Sequence, residues 1–308
     1  NTGRIRDQWH TMTRTGLSPR LGQHLPQPFV EIHPDDAAQA GIADGGFARV
    51  ATDLGQCVLK VVVSERQQRG MLFAPIHWSD ETSSFARVGA LVAPFTDPYS
   101  GQPENKATPA AVEAHHYAQR GFVLSRKPIV LPKGVWWARV AVSGGYGYLL
   151  AGNARPESWQ DWIETTNDQL EFAEYFDLSQ GIYRAATFAG ERLDLCLFVE
   201  PSADTTDWDA ARALFAEDAL SDDQRRSLLS GKSMDGLANA GPIVCACFGV
   251  GRNTICDAIA AGAKSHIEIG VQLKAGTNCG SCIPELKRLL AQTPSNTMEQ
   301  HALATAAS

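Results

Sequence analysis

The cysteines of this chain are unevenly distributed, and their positions limit what its last part can fold into. Five of the seven lie between positions 245 and 282. Four of these form the pairs Cys245-x-Cys247 and Cys279-x2-Cys282, which are separated by 31 residues. The surrounding pattern predicts short helices at 252–261, 266–274 and 283–291. Because such helices bury little apolar surface, this segment needs a cross-link to be stable.

The residues around the two cysteine pairs favour metal ligation. Gly249 and Gly251 follow the first pair, and Gly276 and Gly280 flank Cys279. Glycines allow the positive-φ turns and the close backbone approach that a metal-binding loop requires. We therefore expect the four cysteines to act as thiolate ligands.

Three cross-links remain open for these cysteines: a [2Fe–2S] cluster, a structural zinc ion and disulfide bonds. Zinc sites usually pair two C-x2-C turns, whereas one pair here is C-x-C. A helix predicted directly after Cys282 would aim backbone N–H groups at the sulfurs, which favours the more negative cluster. Further cysteines and the lack of a signal sequence argue against disulfides, and Cys57, Cys196 and Cys256 are expected to be small buried residues.

Composition and charge exclude several classes of protein. The chain has 308 residues, of which 44% are hydrophobic and 20% charged, as in ordinary globular proteins. Its longest apolar stretch, at 58–63, is interrupted by Lys60 and is far too short to cross a membrane. The net charge of −7 argues against a nucleic-acid-binding protein. We therefore expect neither a membrane nor a nucleic acid as a partner.

The hydrophobic patterns divide the rest of the chain into two zones. The first is β-rich, and the second has the strands and helices of a small α+β domain whose expected role is to support its neighbours. In the first zone we predict strands at 29–32, 47–52, 57–63 and 70–75, a short helix that ends at Gly41, and a long loop at 77–109. In the second we predict strands at 135–142 and 193–199 and helices at 156–176, 208–219 and 221–229.

The first fourteen residues are rich in groups that bind anions. Thr2-Gly3-Arg4 and Trp9-His10-Thr11-Met12-Thr13-Arg14 bring hydroxyls, guanidinium groups and an open glycine backbone together. Guanidinium forks pair with phosphate, and hydroxyl and N–H groups can hold a pyrophosphate. On residue types alone, an ordinary polar loop is the better interpretation.

The cysteine segment resembles a known family. Residues 244–252, Val-Cys-Ala-Cys-Phe-Gly-Val-Gly-Arg, and 276–286, Gly-Thr-Asn-Cys-Gly-Ser-Cys-Ile-Pro-Glu-Leu, are similar to the [2Fe–2S] domain of the bacterioferritin-associated ferredoxin family. The resemblance implies that Cys245, Cys247, Cys279 and Cys282 bind a [2Fe–2S] cluster. In that family the domain also occurs at the C-terminus of assimilatory nitrate reductases and within NADH-dependent nitrite reductases.

The N-terminal segment resembles the molybdopterin-dinucleotide-binding domain of molybdenum oxidoreductases, both in residues 1–14 and in the later His33-Pro34-Asp35-Asp36-Ala37. That resemblance implies a double-psi β-barrel. It also implies that Trp78 lies near a pterin or guanine ring and that Lys106 meets the cofactor near the end of the domain. The other residues implied to line the dinucleotide are Thr2, Gly3, Arg4, Trp9, His10, Thr11, Thr13 and Arg14.

Together, the resemblances imply the C-terminal portion of a cytoplasmic assimilatory nitrate reductase, which converts nitrate to nitrite. The expected fold is mixed: a β-rich double-psi-type barrel domain, a small α+β middle domain and a short all-helical [2Fe–2S] domain. The expected boundaries are 1–118 for the dinucleotide-binding domain, 119–240 for the middle domain, 241–292 for the cluster domain and 293–308 for a tail.

The same resemblance implies partners and cofactors beyond this chain. Molybdenum bis(molybdopterin guanine dinucleotide) would be shared with preceding catalytic domains, which would also carry a [4Fe–4S] cluster. Electrons would come from an NAD(P)H-linked flavoprotein or another small donor. No catalytic residue is assigned in this chain, which is not expected to turn over nitrate by itself.

Two alternatives stay open at the level of sequence. The four cysteines could hold zinc or a cluster that only folds a docking module. The chain could also be the corresponding part of another molybdopterin oxidoreductase, such as a formate dehydrogenase.

Overall fold

The computed structural model describes residues 1–7, 22, 24–166, 170–201, 208–229 and 240–292, and it divides the chain into two compact units. The first unit covers Asn1–Leu237 and the second Ala238–Ser308. In the part of the chain that is described, no helix is long and apolar enough to cross a bilayer.

The first part of unit 1 contains two small sheets. The short strands β1 (Thr2–Gly3) and β5 (Ala74–Pro75) pair in parallel. The second sheet has four strands in the order β2-β4-β3-β6. Within it, β2 is parallel to β4, and β3 is antiparallel to both of its neighbours. The strands of this sheet are β2 (Phe29–Ile32), β3 (Phe47–Thr52), β4 (Gly55–Val63) and β6 (Ala111–His115).

Local sequence explains why these elements begin and end where they do. Helix α1 (Pro34–Gln39) follows β2 and starts with a proline, whose fixed φ suits the first turn. The His33 ring caps it by accepting a hydrogen bond from the Asp35 N–H at 3.1 Å. Apolar side chains of the sheet and of a 3₁₀ turn at Val88–Leu91 form the core beneath. The region 77–109 is otherwise mostly irregular, as predicted, while the predicted strand at 70–75 is reduced to its last two residues.

The second part of unit 1 is an antiparallel sheet of six strands in the order β10-β11-β12-β7-β9-β8. Alternation along β7 places Phe122 and Leu124 in one core and Val123 in another, on opposite faces of the sheet. The first core includes α3 (Trp208–Ala216) and α4 (Asp222–Leu228), and the second includes α2 (Pro156–Thr166). The strands are β7 (Gln119–Ser125), β8 (Trp136–Val142), β9 (Gly145–Gly152), β10 (Glu171–Asp177), β11 (Ile182–Ala189) and β12 (Arg192–Glu200).

The helix predicted at 156–176 is wrong in its second half. Helix α2 ends at Thr166, and residues Glu171–Asp177 form the edge strand β10. Phe172 and Phe176 lie an even number of residues apart, so in a strand both face the same side of the sheet, where both pack against its core. The Phe176 ring also meets the Tyr183 ring of β11 edge to face. Strand pairing across the sheet therefore decides the conformation of a segment whose apolar spacing also fits a helix.

The two parts of unit 1 are joined by a buried cluster of aromatic and aliphatic side chains. Trp136 of β8 is 1% exposed and packs with Phe47 and Val58 from the four-stranded sheet. Its indole N–H donates a hydrogen bond to the Val58 carbonyl at 2.8 Å. The boundary expected at residue 118 therefore lies within one compact unit, and the division into three domains stays a prediction.

Unit 2 is small and is described for residues 240–292. It contains the helices α5 (Arg252–Ala260), α6 (His266–Leu273) and α7 (Ile283–Gln292), which agree with the predicted helices. The expectation of an all-helical domain is wrong in one respect, because β13 (Ile243–Cys245) and β14 (Val250–Gly251) form a short antiparallel pair. Extended backbone here brings the two ends of the C-x-C turn together.

The fold as a whole is a mixture of sheets and helices, as expected from the sequence. The double-psi topology implied by resemblance for the first part of unit 1 stays a prediction.

The contact between the two sheets of unit 1 can be tested at Trp136. We expect Trp136→Phe to lower the free energy of unfolding by about 1–3 kcal/mol, because it removes a buried hydrogen bond to a carbonyl. The matched control is Trp162→Phe, since the Trp162 indole donates to the exposed Val130 carbonyl, which water can serve instead. Urea unfolding followed by fluorescence measures both changes. Equal losses in the two variants would contradict a special role of Trp136.

Candidate functional site

The first cysteine pair lies on a β-hairpin of unit 2. Cys245 ends β13 and pairs with Val250, while Cys247 lies in the connecting turn. The turn needs Gly249, which has a φ of 65°, and the strand that follows needs Gly251. A Cβ on Gly251 would lie 2.0 Å from the Ala240 carbonyl oxygen, so no larger residue fits there. The glycines that flank the C-x-C motif in the sequence therefore shape this loop.

The second cysteine pair lies between α6 and α7. Gly276 and Gly280 have φ values of 84° and 73°, which favour glycine. Cys282 directly precedes α7, and its carbonyl accepts the first hydrogen bond of that helix from the Leu286 N–H at 3.0 Å. The positive end of the α7 dipole therefore lies at Cys282.

The structure brings the four predicted ligands together as two pairs of sulfurs. The Cys247 and Cys279 sulfurs are 3.3 Å apart. Cys245 and Cys282 are joined by a hydrogen bond between their side chains. The pKa of the Cys282 thiol is raised to about 11, mainly by burial and to a smaller extent by the neighbouring Cys245. The backbone N–H groups of Gly276 and Cys282 oppose this rise. All seven cysteines lie in the described part of the chain, and the structure joins none of them to another by a disulfide bond.

The donor set of these two pairs fits a [2Fe–2S] cluster. Two pairs of thiolates would provide two ligands for each of two irons. Backbone N–H groups near the sulfurs would stabilise the negative charge of such a centre. Cys245 and Cys282 are each 2% exposed, whereas Cys279 is exposed, so one edge of the centre faces solvent.

The other three cysteines lie away from this ligand set in different environments. Cys57 and Cys196 are buried in unit 1, as predicted, and burial raises the pKa of each thiol to about 12. The Cys57 thiol donates a hydrogen bond to the Arg87 carbonyl at 3.2 Å. Cys256, which was expected to be buried, is only half-buried on α5.

Thr2, in the described part of the N-terminal motif, lines a cavity in unit 1. The Thr2 hydroxyl donates to the Asn105 carbonyl at 2.5 Å, which brings Thr2 next to the segment that carries Lys106. Both segments line a cavity of about 450 Å³ with a largely apolar interior. Gly3 lies in β1 and Arg4 follows it as an exposed residue. Trp9, His10, Thr11, Thr13 and Arg14 lie outside the described residues.

Trp78 and Lys106 have different surroundings. Trp78 is 3% exposed and belongs to the buried cluster around Trp136. Its indole N–H has no hydrogen-bond partner among the described residues. This packing gives Trp78 a role in the core, and its contact with a cofactor ring stays a prediction. Lys106 is exposed, and its backbone N–H donates to the Glu104 carboxylate at 2.6 Å.

Sequence reasoning missed two features of this region. The Asp7 carboxylate is 3% exposed and accepts hydrogen bonds from the backbone N–H groups of His24 and Leu25, at 2.6 and 2.9 Å. It thereby ties the end of the first motif to a segment 17 residues away. In addition, His77 and Ala107 adopt positive φ values of 78° and 57° directly beside Trp78 and Lys106. The sequence did contain a signal for Asp7, because an acidic residue stands there in a basic stretch. The positive φ values of His77 and Ala107 leave no such signal in the sequence.

The different burial of the thiols leads to a prediction about their reactivity. In iron-free protein at pH 8, we expect iodoacetamide to modify the exposed Cys279 well before Cys57 and Cys196. A thiol with a pKa of about 12 is only about one part in ten thousand thiolate at pH 8, and its reactivity should rise with pH. Peptide mass spectrometry measures the order of modification. Modification of Cys57 at the rate of Cys279 would contradict the described burial.

Two family models match the two regions that contain these residues. Residues 1–109 match the molydopterin dinucleotide binding domain, and residues 243–292 match the BFD-like [2Fe-2S] binding domain. These matches confirm the two classes of cofactor implied by resemblance.

Similar proteins include nitrate reductases and formate dehydrogenases. A nitrate reductase of Klebsiella oxytoca is 40% identical over 94% of this chain and 33% of its own length. A nitrate reductase of Shewanella frigidimarina is 29% identical over 41% of this chain and 16% of its own. An F420-dependent formate dehydrogenase alpha subunit of Methanococcus maripaludis is 33% identical over 36% of this chain and 16% of its own.

The chain thus spans about one third of the length of its Klebsiella relative. It contains a molybdopterin dinucleotide-binding domain at residues 1–109 and a BFD-like [2Fe–2S]-binding domain at residues 243–292.

Proposed function

We propose that this chain is the C-terminal part of a molybdopterin-dependent assimilatory nitrate reductase. The reaction would consume nitrate, two electrons and two protons and produce nitrite and water. The observation that carries the proposal is the presence, in one chain, of two pairs of cysteine sulfurs and a dinucleotide-binding domain. The identity to the Klebsiella nitrate reductase supports it, because that similarity extends over 94% of the chain and therefore includes the sheet between the two cofactor domains.

In this proposal, unit 2 is the point where electrons enter. A bound [2Fe–2S] cluster supplies the ability to accept and release one electron at a time. The chain's own residues hold it, with Cys245 and Cys282 on the buried side and Cys247 and Cys279 towards the surface. The N–H groups of Gly276 and Cys282 donate towards the Cys282 sulfur and favour the more negative, reduced state.

The N-terminal residues would bind the dinucleotide. We propose that Lys106 contacts the dinucleotide from the segment next to Thr2. We also propose that its phosphates are held by Thr2, Gly3 and Arg4 together with Trp9, His10, Thr11, Thr13 and Arg14. The support for this proposal is the hydrogen bond between Thr2 and Asn105, the residue before Lys106, and the cavity that Thr2 and Asn105 both line. Asp7 would position this motif through the backbone of His24 and Leu25 without contacting the cofactor.

The physiological setting is part of the same proposal. An assimilatory enzyme would lie in the cytoplasm and take its electrons from an NAD(P)H-linked flavoprotein or another small donor. The molybdenum bis(molybdopterin guanine dinucleotide) and a [4Fe–4S] cluster would be completed by other domains of the enzyme. A formate dehydrogenase is the second candidate, and the Methanococcus relative supports it over only 36% of the chain.

The cluster can be tested against the alternative of a zinc-stapled docking module. Anaerobically purified protein is expected to be brown, to contain two irons and two sulfides per chain, and to show an EPR signal after dithionite reduction. We expect Cys279→Ser to abolish or strongly alter this signal, while Cys256→Ser keeps it, because Cys256 lies outside both sulfur pairs. Colourless protein with one zinc per chain would contradict electron transfer by this unit.

The dinucleotide contacts can be tested at Arg4 in the complete enzyme that contains this chain. We expect Arg4→Ala to reduce the molybdenum content several-fold, because one charge-assisted contact to phosphate is worth about 1.5–3 kcal/mol. Arg66→Ala is the matched control, since Arg66 is also exposed but lies outside the motif. Metal analysis by mass spectrometry gives the result, and unchanged molybdenum in Arg4→Ala would remove Arg4 from the proposed site.

A further inference from the structure

Helix α6 of unit 2 exposes large apolar side chains to solvent. Ile267 and Val271, four residues apart, are 67% and 81% exposed. On the other side of the helix, Ile269 is 0% exposed and packs in the core of the unit. A surface helix normally has one apolar face, which points inwards. The second apolar face of α6 therefore needs an explanation other than folding.

The C-terminal end of α6 lies beside the loop at residues 274–282 that carries Cys279, which we call the cysteine loop. The last turn of α6 packs on the cysteine loop, since a Cβ on Gly270 would lie 3.0 Å from the Thr277 methyl group. The Thr277 hydroxyl donates to the Lys274 carbonyl at 2.7 Å, and Thr277 lies two residues before the exposed Cys279. We define the α6 face as Ile267, Val271, Lys274 and Cys279. It combines an apolar stripe, a cation and a predicted cluster ligand.

The charges of unit 2 favour a negatively charged partner. Its described residues include five basic and three acidic side chains, whereas the whole chain carries a net charge of −7. Glu285 is paired with Arg288 at 2.6 Å. The Glu268 carboxylate turns to the start of α6, where hydrogen bonds from the Lys264 N–H and the Ser265 hydroxyl lower its pKa. Lys274, at the other end of the helix, is exposed at the start of the cysteine loop.

We propose that the α6 face is the docking surface for an acidic flavoprotein that reduces the cluster. This inference rests on the proposed function. It adds the residues of this chain that form the docking surface and the negative charge of the partner that they recognise. Apolar contacts at the centre of an interface hold the complex, and opposite charges accelerate its formation. In the transfer step, one electron leaves the reduced flavin, which is oxidised by one electron, and enters the cluster. No bond of this chain is formed or broken.

The test measures how fast an acidic flavoprotein reduces the cluster of the 308-residue chain. The probe is reduced flavodoxin, mixed with the oxidised chain in a stopped-flow instrument. We expect Val271→Glu to lower the second-order rate constant about tenfold or more, because the added carboxylate repels an acidic partner. Lys274→Gln should lower it less, because it only removes one attractive charge. The rate for the unchanged chain should fall as salt screens the charges. Both variants should keep the EPR signal and the rate of reduction by dithionite.

A matched control distinguishes docking from a general effect of added charge. Leu178 is 61% exposed in unit 1, and Leu178→Glu introduces the same charge as Val271→Glu at a place outside the α6 face. We expect this control to react with flavodoxin like the unchanged chain. Should Val271→Glu lose its EPR signal, Val271→Ser and Lys274→Gln provide the test, since they change the face with less perturbation.

Several results would overturn the inference. One is an equal rate for all variants whose clusters dithionite reduces, which would leave the proposed function intact. A second is electron exchange with a basic protein such as cytochrome c that is faster than exchange with flavodoxin and that Val271→Glu slows. A third is a dimer of the chain, seen by analytical ultracentrifugation, that Val271→Glu dissociates. A chain without any reducible cluster would instead contradict the proposed function itself, and the docking surface with it.

Discussion

The approach of the Cys247 and Cys279 sulfurs to 3.3 Å is the contact on which unit 2 depends. It joins a hairpin turn to a loop 32 residues later in the chain, and the second pair, Cys245 and Cys282, repeats this connection inside the core. Three short helices alone provide little apolar burial. Ligation of these sulfurs would therefore hold the fold and build the redox centre at once, so that the stability of the unit and its chemistry share the same residues.

Because the four sulfurs differ in burial, one side of the cysteine site faces the core of unit 2 and the other side faces solvent. Two of the predicted ligands lie in the core of unit 2, whereas Cys279 is exposed in the loop that follows α6. A partner that covers the exposed stripe of α6 would bring its own redox group close to the cluster, and its charge would determine how often productive encounters occur. Docking and electron entry would thus occur on one side of the unit, where a single helix supplies the recognition surface.

Unit 1 depends on long-range contacts of another kind. The Trp136 indole joins the six-stranded sheet to Val58 of the smaller one, and the Thr2 hydroxyl joins the first strand to Asn105. Because the dinucleotide motif lies at the very start of the chain, its geometry is set by segments more than 70 residues away. The six-stranded sheet packs against the smaller one through the buried cluster around Trp136, and its role as a support for the neighbouring segments stays a prediction.

The sequence by itself predicted the four cysteine ligands, determined the helices of unit 2 and, through family resemblance, indicated both classes of cofactor, because cysteine spacing, helix-ending glycines and the motif around Thr2 are local signals. Only the tertiary structure decided that residues 171–177 form a strand, since their aromatic spacing fits either period and pairing with β11 selects one. It likewise decided the burial of Trp78 and the pairing of the sulfurs. Those features depend on which distant segments meet, and the local sequence does not encode that information.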